Sequence, residues 1–371
     1  LYHLIFVVKI KNNMKVCIIG SGLSALALAK ALINKNINVE IVSKNKQIKI
    51  NQSRTLGISK SNFNYFNKNI VNIEKIIWKI KKIEILSDNL KNEKILNFEN
   101  KNDQIFSIVK NSEIYKILYK SLFNSSKYKK IKFKKKISNF DSYDLIINTD
   151  YSNILTKKYF NKKILKNYNS LAYTTIIKHK IISNNIATQI FTKKGPLAFL
   201  PISNQETSIV YSIYNSRIDH KTNIVNLINH YNFKYKIKKI EKIDSFELKS
   251  FILRSYYHNN ILAFGDLLHR IHPLAGQGFN MTIRDIKSLI QIINKKINLG
   301  LPLNKSINIE FEKKVKHKNY IFSNGVDLIY ELFNFERKLK NNFLSKSIKL
   351  FGRSNQINKM FKKIADYGVE I

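Results

Sequence analysis

The sequence predicts an α/β protein: a Rossmann-like dinucleotide-binding domain, an antiparallel-sheet domain inserted into it, and a C-terminal helical region. Three observations predict this. A buried-type strand, a glycine-rich turn, an Ala/Leu-rich helix and a second strand follow one another between Met14 and Val42. Four apolar runs separated by turn residues lie between Ser170 and Tyr214, and a later apolar run, Ile261-Leu262-Ala263-Phe264, leads into Gly265-Asp266 and a second glycine-rich loop.

Taken in order, Val16-Cys17-Ile18-Ile19 is continuously apolar, as a strand covered on both faces requires. Leu26 to Ile33 has helical composition, and Val39-Glu40-Ile41-Val42 reads as a strand, completing a β-α-β unit of about thirty residues. Residues 60–135 give no firm element beyond a helix around Glu113–Phe123, and Asp144-Leu145-Ile146-Ile147-Asn148 is another buried strand. Leu171–Lys178, Ile186–Thr192, Leu197–Pro201 and Thr207–Tyr214 are expected as an antiparallel sheet. A helix is expected from Gly278 to about Ile293, and residues 305–371 are helical by period.

Composition narrows the function classes. A chain of 371 residues that is 44% hydrophobic and 12% aromatic is long enough for two domains and too apolar for disorder. One cysteine, Cys17, excludes a disulfide framework and a cysteine-based zinc site, and fits a reducing, cytosolic compartment. No window offers ~18 uninterrupted apolar residues, so no membrane span is expected. Leu1–Asn13 precedes Met14 and reads as a non-native or upstream extension. The charge of +40 comes from 65 Lys+Arg against 25 Asp+Glu, and only seven of the basic residues are Arg. Nucleic-acid readers lean on Arg for bidentate contacts, so nucleic acid is not an expected partner. Lys, Asn and Ile are abundant throughout, as an AT-rich genome would encode. The functional use left to the lysines is attraction to an anionic membrane surface, at about 1 kcal/mol each where suitably placed.

The chemistry resides in two glycine motifs. In Gly20-Ser21-Gly22-x-x-Ala25, Gly20 allows the tight turn, Gly22 lets the backbone approach a pyrophosphate, and Ala25 permits close helix–strand packing. The pyrophosphate is expected at the helix N-terminus, where free N–H groups favour an anion. An acidic residue is expected at the end of the second strand to hold the ribose, and Ser43 stands there instead; Glu40 points to the opposite face by strand parity. The second motif runs from Gly265-Asp266 through His269 and His272-Pro273 to Gly276, Gly278, Phe279 and Asn280. A carboxylate at Asp266 would accept from ribityl hydroxyls. Pro273 stiffens the loop, and the backbone N–H groups around Gly276 and Gly278 suit the N1–C2=O edge of a flavin. His269 and His272 lack metal-site geometry, and structural or flavin-adjacent roles are expected for them. Cys17 is expected as a core residue.

Gly-Asp-x-x-His-x-x-x-Pro-x-x-Gly-x-Gly-x-Asn downstream of G-x-G-x-x-A resembles the FAD-dependent aromatic hydroxylases of the p-hydroxybenzoate hydroxylase fold. Within them the likeness is greatest to the ubiquinone-biosynthesis hydroxylases (the 2-octaprenyl-6-methoxyphenol hydroxylase group). Arg54-Thr55-Leu56-Gly57-Ile58-Ser59 is similar to that group's Arg segment over the flavin, and Gly195-Pro196-Leu197-Ala198-Phe199-Leu200-Pro201 to a strand of its substrate domain. Arg284-Asp285 extends the match of the flavin loop. The likeness covers about Met14 to Ile293, and departs from the group at Ser43, at Asp150-Tyr151 where Asp-Gly is usual, and at Leu267-Leu268 where Ala-Ala is usual.

The resemblance implies FAD as cofactor, O2 as co-substrate and a polyprenyl phenol as substrate. Catalysis then proceeds through a flavin C4a-hydroperoxide, so no side chain is singled out as catalytic. The expected cofactor-binding residues are Gly20, Ser21, Gly22, Ala25, Ser43, Arg54, Asp266, Pro273, Gly276, Gly278, Phe279 and Asn280. Residues 14–72, 105–155 and 256–300 would form the discontinuous FAD-binding domain, 73–104 and 156–255 the substrate domain, and 301–371 the C-terminal helices. Electrons would come from NAD(P)H or a redox protein. The chain is expected in the cytoplasm or peripherally on the inner membrane, beside other quinone-pathway proteins. Two readings compete: a flavin hydroxylase or reductase of the same fold acting on another aromatic or prenyl compound, and a non-catalytic scaffold at the membrane surface. Flavin uptake separates the scaffold from both enzymes.

Overall fold

Strand β1 (Lys15–Ile19) is buried at four of its five positions, as an unbroken apolar run dictates. It lies between strand β2 (Asn38–Ser43) and the strand Leu145–Asn148, both parallel to it. Ile261–Ala263 extends the sheet beyond Leu145–Asn148, and Tyr128–Lys132 extends it beyond β2, again in parallel. Tyr257–His258 adds an antiparallel strand, completing a sheet of six. Lys129 and Lys132 are exposed on the outer strand, where charge discourages pairing with another chain. Helix α1 (Leu23–Ile33) buries nine of its eleven residues, and its alanines let it lie close on the sheet. Because the chain builds outward from β1 in both directions, the carboxyl ends of β1 and Leu145–Asn148 flank a crevice of the kind where open α/β sheets bind ligands.

The computed structural model describes residues 14–44, 52–100, 103–132, 140–214, 221–339, 342–352 and 354–369. The expected extension 1–13 lies outside the described residues.

The second sheet has nine strands. The four expected runs are present as Lys163–His179, Ile186–Thr192, Gly195–Pro201 and Glu206–Tyr214, paired antiparallel in the order first, fourth, third, second. The first is far longer than expected. Its early part pairs with Asp244–Leu253, with a register shift between Asn167 and Ser170. That part is missed by periodicity because Ile164 and Leu165 are both exposed, so no inward face alternates. Residues 73–104 contribute Lys82–Ser87 and Glu93–Glu99 to this sheet, the former running parallel to Ile186–Thr192.

The stretch that gave no firm elements holds a small third sheet. Strand β3 (Thr55–Ser59) pairs with Phe106–Lys110, which pairs with Trp78–Ile80. Helix α2 (Lys60–Asn69) follows β3 directly. The glycine-loop helix spans Gln277–Asn298, and Lys305–Leu339, Phe343–Phe351 and Asn355–Tyr367 form the helical tail. Asp366 accepts from the Ser61 amide at 2.8 Å, which ties the last helix to α2.

Candidate cofactor site

Four separate segments converge at the carboxyl end of the parallel sheet. Gly20 has φ +112°, and its amide donates to the Val42 carbonyl at 2.9 Å. A Cβ there would stand 2.3 Å from Thr149 Oγ1, so this glycine lets the first loop pass the end of the neighbouring strand. Gly265 faces the first turn of α1, where an added Cβ would lie 2.6 Å from Ser24 Cβ. At Gly276, with φ +62°, an added Cβ would lie 3.3 Å from the Gly57 amide nitrogen on β3. The first glycine turn therefore touches the Asp266 turn, and the second glycine loop touches the Arg54–Ser59 segment.

Gly22 and Gly278 behave differently. Both are exposed, and among the described residues an added Cβ would meet nothing within 4 Å at either. Gly22 is the N-cap of α1 at φ −72°, an ordinary angle for any residue, and no side chain caps that end. Neither α1 nor the Gln277–Asn298 helix carries an acidic residue in its first turn. Neither the backbone angle of Gly22 nor crowding at either glycine demands glycine. Bare, open helix ends without a carboxylate are what an anionic dinucleotide and a flavin edge require. The residues present thus fit FAD, through backbone donors around Gly22 and Gly278.

Asp266 is exposed in a short helical turn, Gly265–Leu267, just past the strand Ile261–Ala263. Ser21, Ala25 and Ser43 are buried, and Pro273 is half-buried. Glu40 is turned away from the site, as strand parity predicts, and is held by Lys15 at 3.0 Å and by the Tyr143 hydroxyl. Burial raises its pKa, but the bonds from Tyr143 and Lys15 outweigh that and hold the carboxyl below its ordinary value. Phe279 is buried against Phe66 of α2, with ring centroids 6.0 Å apart.

Asn280 is fully buried and its amide is committed to protein. It donates to the Gly57 carbonyl at 3.0 Å and accepts from the Ser59 amide at 2.9 Å. It pins the glycine loop to β3. Arg54 is exposed, its guanidinium 6.0 Å from the Phe246 ring. Its neighbours seat it on the second sheet: Thr55 Oγ1 lies 2.9 Å from Ser208 Oγ, and Ser53 Oγ lies 3.1 Å from Thr174 Oγ1. Arg54 therefore stands at the junction of the glycine loop and the antiparallel sheet.

The two histidines differ. His269 Nε2 lies 2.6 Å from Asp285 Oδ2, and Asn319 donates to the other Asp285 oxygen at 3.0 Å. This buried clamp joins the loop to two helices and was not found from sequence, although Arg284-Asp285 had already marked its partner. His272 is 1% exposed and neither ring nitrogen has a hydrogen-bond partner among the described residues. It packs edge-on to Tyr168 and tilted against Tyr330 at 4.3 Å, and desolvation pushes its pKa down to about 3.

The departures from the resembled group are accommodated. Tyr151 is not among the described residues with positive φ and is 64% exposed, so the turn closes without glycine. Leu267 and Leu268 are buried in the core of the parallel-sheet domain.

A profile described as "FAD binding domain" matches residues 186–298. The p-nitrophenol 4-monooxygenase PnpA from Pseudomonas putida superposes with a TM-score of 0.76 at 11% identity, covering 97% of this chain and 99% of that one. The chain has the fold of the FAD-dependent aromatic monooxygenases. A single-residue variant of HpxO from Klebsiella pneumoniae, complexed with FAD, superposes at 0.74 with 12% identity over 95% of this chain and 99% of that one. The ubiquinone biosynthesis monooxygenase COQ6 of Drosophila melanogaster is 25% identical over 52% of this chain and 49% of its own length. The 3-demethoxyubiquinol 3-hydroxylase of Escherichia coli is 28% identical over 39% of each. The chain spans about half the length of the first of these curated relatives. The resemblance to flavin hydroxylases, the fold class and FAD as cofactor are thereby borne out.

Proposed function

We propose that the chain is an FAD-dependent monooxygenase that hydroxylates the aromatic ring of a polyprenyl phenol or quinone precursor in ubiquinone synthesis. The observation that carries this reading is the pair of open glycines, Gly22 and Gly278, at the first turns of two helices, with the Asp266 turn against the first and the Arg54–Ser59 segment against the loop of the second. The likeness to COQ6 and to the ubiquinol hydroxylase supports the substrate class.

FAD, when bound, supplies activation of O2 and transfer of an electrophilic oxygen to an electron-rich ring. The chain's own work is to bind, orient and exclude water. Backbone donors around Gly22 hold the pyrophosphate, Asp266 accepts from the ribityl chain, and donors around Gly276 and Gly278 stabilise negative charge on the ring system. Ser43 serves the ribose. Arg54 covers the cofactor from the side of the antiparallel sheet. Tyr168, Phe246, Leu274 and Tyr330 pack together beside it, an apolar wall that keeps water from the reacting centre. Electrons come from NAD(P)H or a redox protein.

The test is reconstitution with FAD, reduction, and exposure to isotopically labelled O2 with a prenylated phenol. One labelled oxygen in a new ring hydroxyl is the expected result. Yellow protein that yields only hydrogen peroxide with every prenylated phenol would move the activity to another substrate. Colourless protein that takes up no FAD would leave the scaffold reading.

A further inference from the structure

A groove of about 780 Å³ opens between the helix Lys305–Leu339 and the ends of the strands Lys163–His179 and Asp244–Leu253. None of the proposed cofactor residues lines it. Its apolar lining includes Ile164, Ile309 and Tyr320, which are 47%, 46% and 47% exposed, with Ile252 buried beneath. These three large apolar side chains stand together along one groove rather than scattered singly over the surface.

The rim is cationic. Arg254 and Lys313 are exposed and have no carboxylate partner among the described residues. Glu312, the carboxylate in the lining, is already engaged: one oxygen takes Lys316 at 2.7 Å and the other takes the Tyr256 amide at 2.8 Å. His317, also exposed, completes the rim. An apolar floor beneath unpaired cations matches a ligand with an anionic head and a hydrocarbon chain.

We propose that this groove binds an anionic phospholipid, its acyl chain along Ile164, Ile309 and Tyr320 and its phosphate on Arg254 and Lys313. Charge complementarity selects this occupant. A second copy of the chain would bring its own charge of +40 against the same cations. An uncharged prenyl tail leaves Arg254 and Lys313 unanswered, and free phosphate leaves the floor open to water. The site does not depend on flavin chemistry, so its test and that of the proposed function fail separately.

The probe is monomeric lysophosphatidylglycerol, titrated into the full chain by calorimetry, with stoichiometry read by native mass spectrometry. Lysophosphatidylcholine serves as the zwitterionic control and glycerol 3-phosphate as the head without a chain. One lysophosphatidylglycerol per chain is expected, at least about tenfold tighter than either control. The double variant R254A/K313A is expected to weaken it about tenfold. Ile309→Trp, which fills the floor, should abolish it. The exposed pair Lys116→Ala and Lys129→Ala loses the same charge elsewhere and should change nothing. Equal binding of lysophosphatidylcholine would overturn the proposal in favour of a chain-only slot. Equal binding of glycerol 3-phosphate would reduce it to an anion patch. Equal loss in both double variants would mean unlocalised lysine attraction.

Discussion

The glycine loops at the end of the parallel sheet and the helix Lys305–Leu339 both leave surface uncovered, in opposite ways. At Gly22 and Gly278 the exposed matter is backbone, with no described group beyond the chain neighbours within 4 Å of an added Cβ. Along the helix it is side chains: Ile309, Tyr320, Leu328 and Phe335 are each more than two-fifths exposed. Bare N–H groups serve a polar ligand held from the main chain, and open hydrocarbon beside lysines serves an amphiphile held by side chains. The first demand admits almost only glycine. The second admits any of several apolar residues.

Within the loops, glycines that serve the fold and glycines that serve a ligand should separate under substitution. Gly20→Ala puts a Cβ 2.3 Å from Thr149 Oγ1 at φ +112°, and should destabilise the protein most, by about 4 kcal/mol in denaturant melts. A loss comparable to that at Gly22 would erase the distinction. His269→Ala comes next. It strips a 2.6 Å partner from the buried Asp285 and should cost about 3 kcal/mol, with Asp285→Asn restoring part of the loss in the double variant.

The junction between the loops and the sheet predicts a smaller, pH-dependent effect. His272 is held neutral by burial, its pKa lowered from 6.5 to about 3. The unfolded chain therefore binds the extra proton first, and stability falls as pH drops below 6.5 and goes on falling towards about 3. Between the ordinary pKa and pH ~5 the loss should be about 2 kcal/mol, and His272→Leu should remove that slope. The smallest effect belongs to Glu40, which lies on the face away from the loops. Its lowered carboxyl stabilises the fold above its ordinary pKa of 4.5, and that contribution fades as pH falls through the folded value. Glu40→Gln should cost about 1 kcal/mol near neutrality, since the amide can keep part of the Tyr143 contact and Lys15 is open to water, and should flatten acid melts below the ordinary pKa.

What could be read from the sequence follows the same division. Gly20, Gly265 and Gly276 stand out because a positive φ and close approach exclude other residues, Gly22 and Gly278 because the motif leaves backbone bare for a ligand, and the buried strands stand out because both faces are covered. Strand β3 and its partners did not, since Thr55–Ser59, Trp78–Ile80 and Phe106–Lys110 are short and find one another only across long stretches of chain. The role of Asn280 was read as contact with the cofactor, whereas its amide is spent on Gly57 and Ser59. A local motif names a residue type without naming its partner. The lipid groove had no sequence signal, because Arg254 and Lys313 are two among 65 basic residues.

The most direct measurement is FAD titration of Gly22→Ala beside the unaltered chain, with the melting of both cofactor-free proteins recorded. Among the described residues an alanine Cβ there meets nothing within 4 Å, and the backbone angle is ordinary. The fold should therefore keep its stability to within about 1 kcal/mol. FAD affinity should fall at least tenfold, by about 1.4 kcal/mol or more, because the added methyl occupies the approach of the pyrophosphate. Undiminished FAD affinity in a stable Gly22→Ala protein would contradict the account.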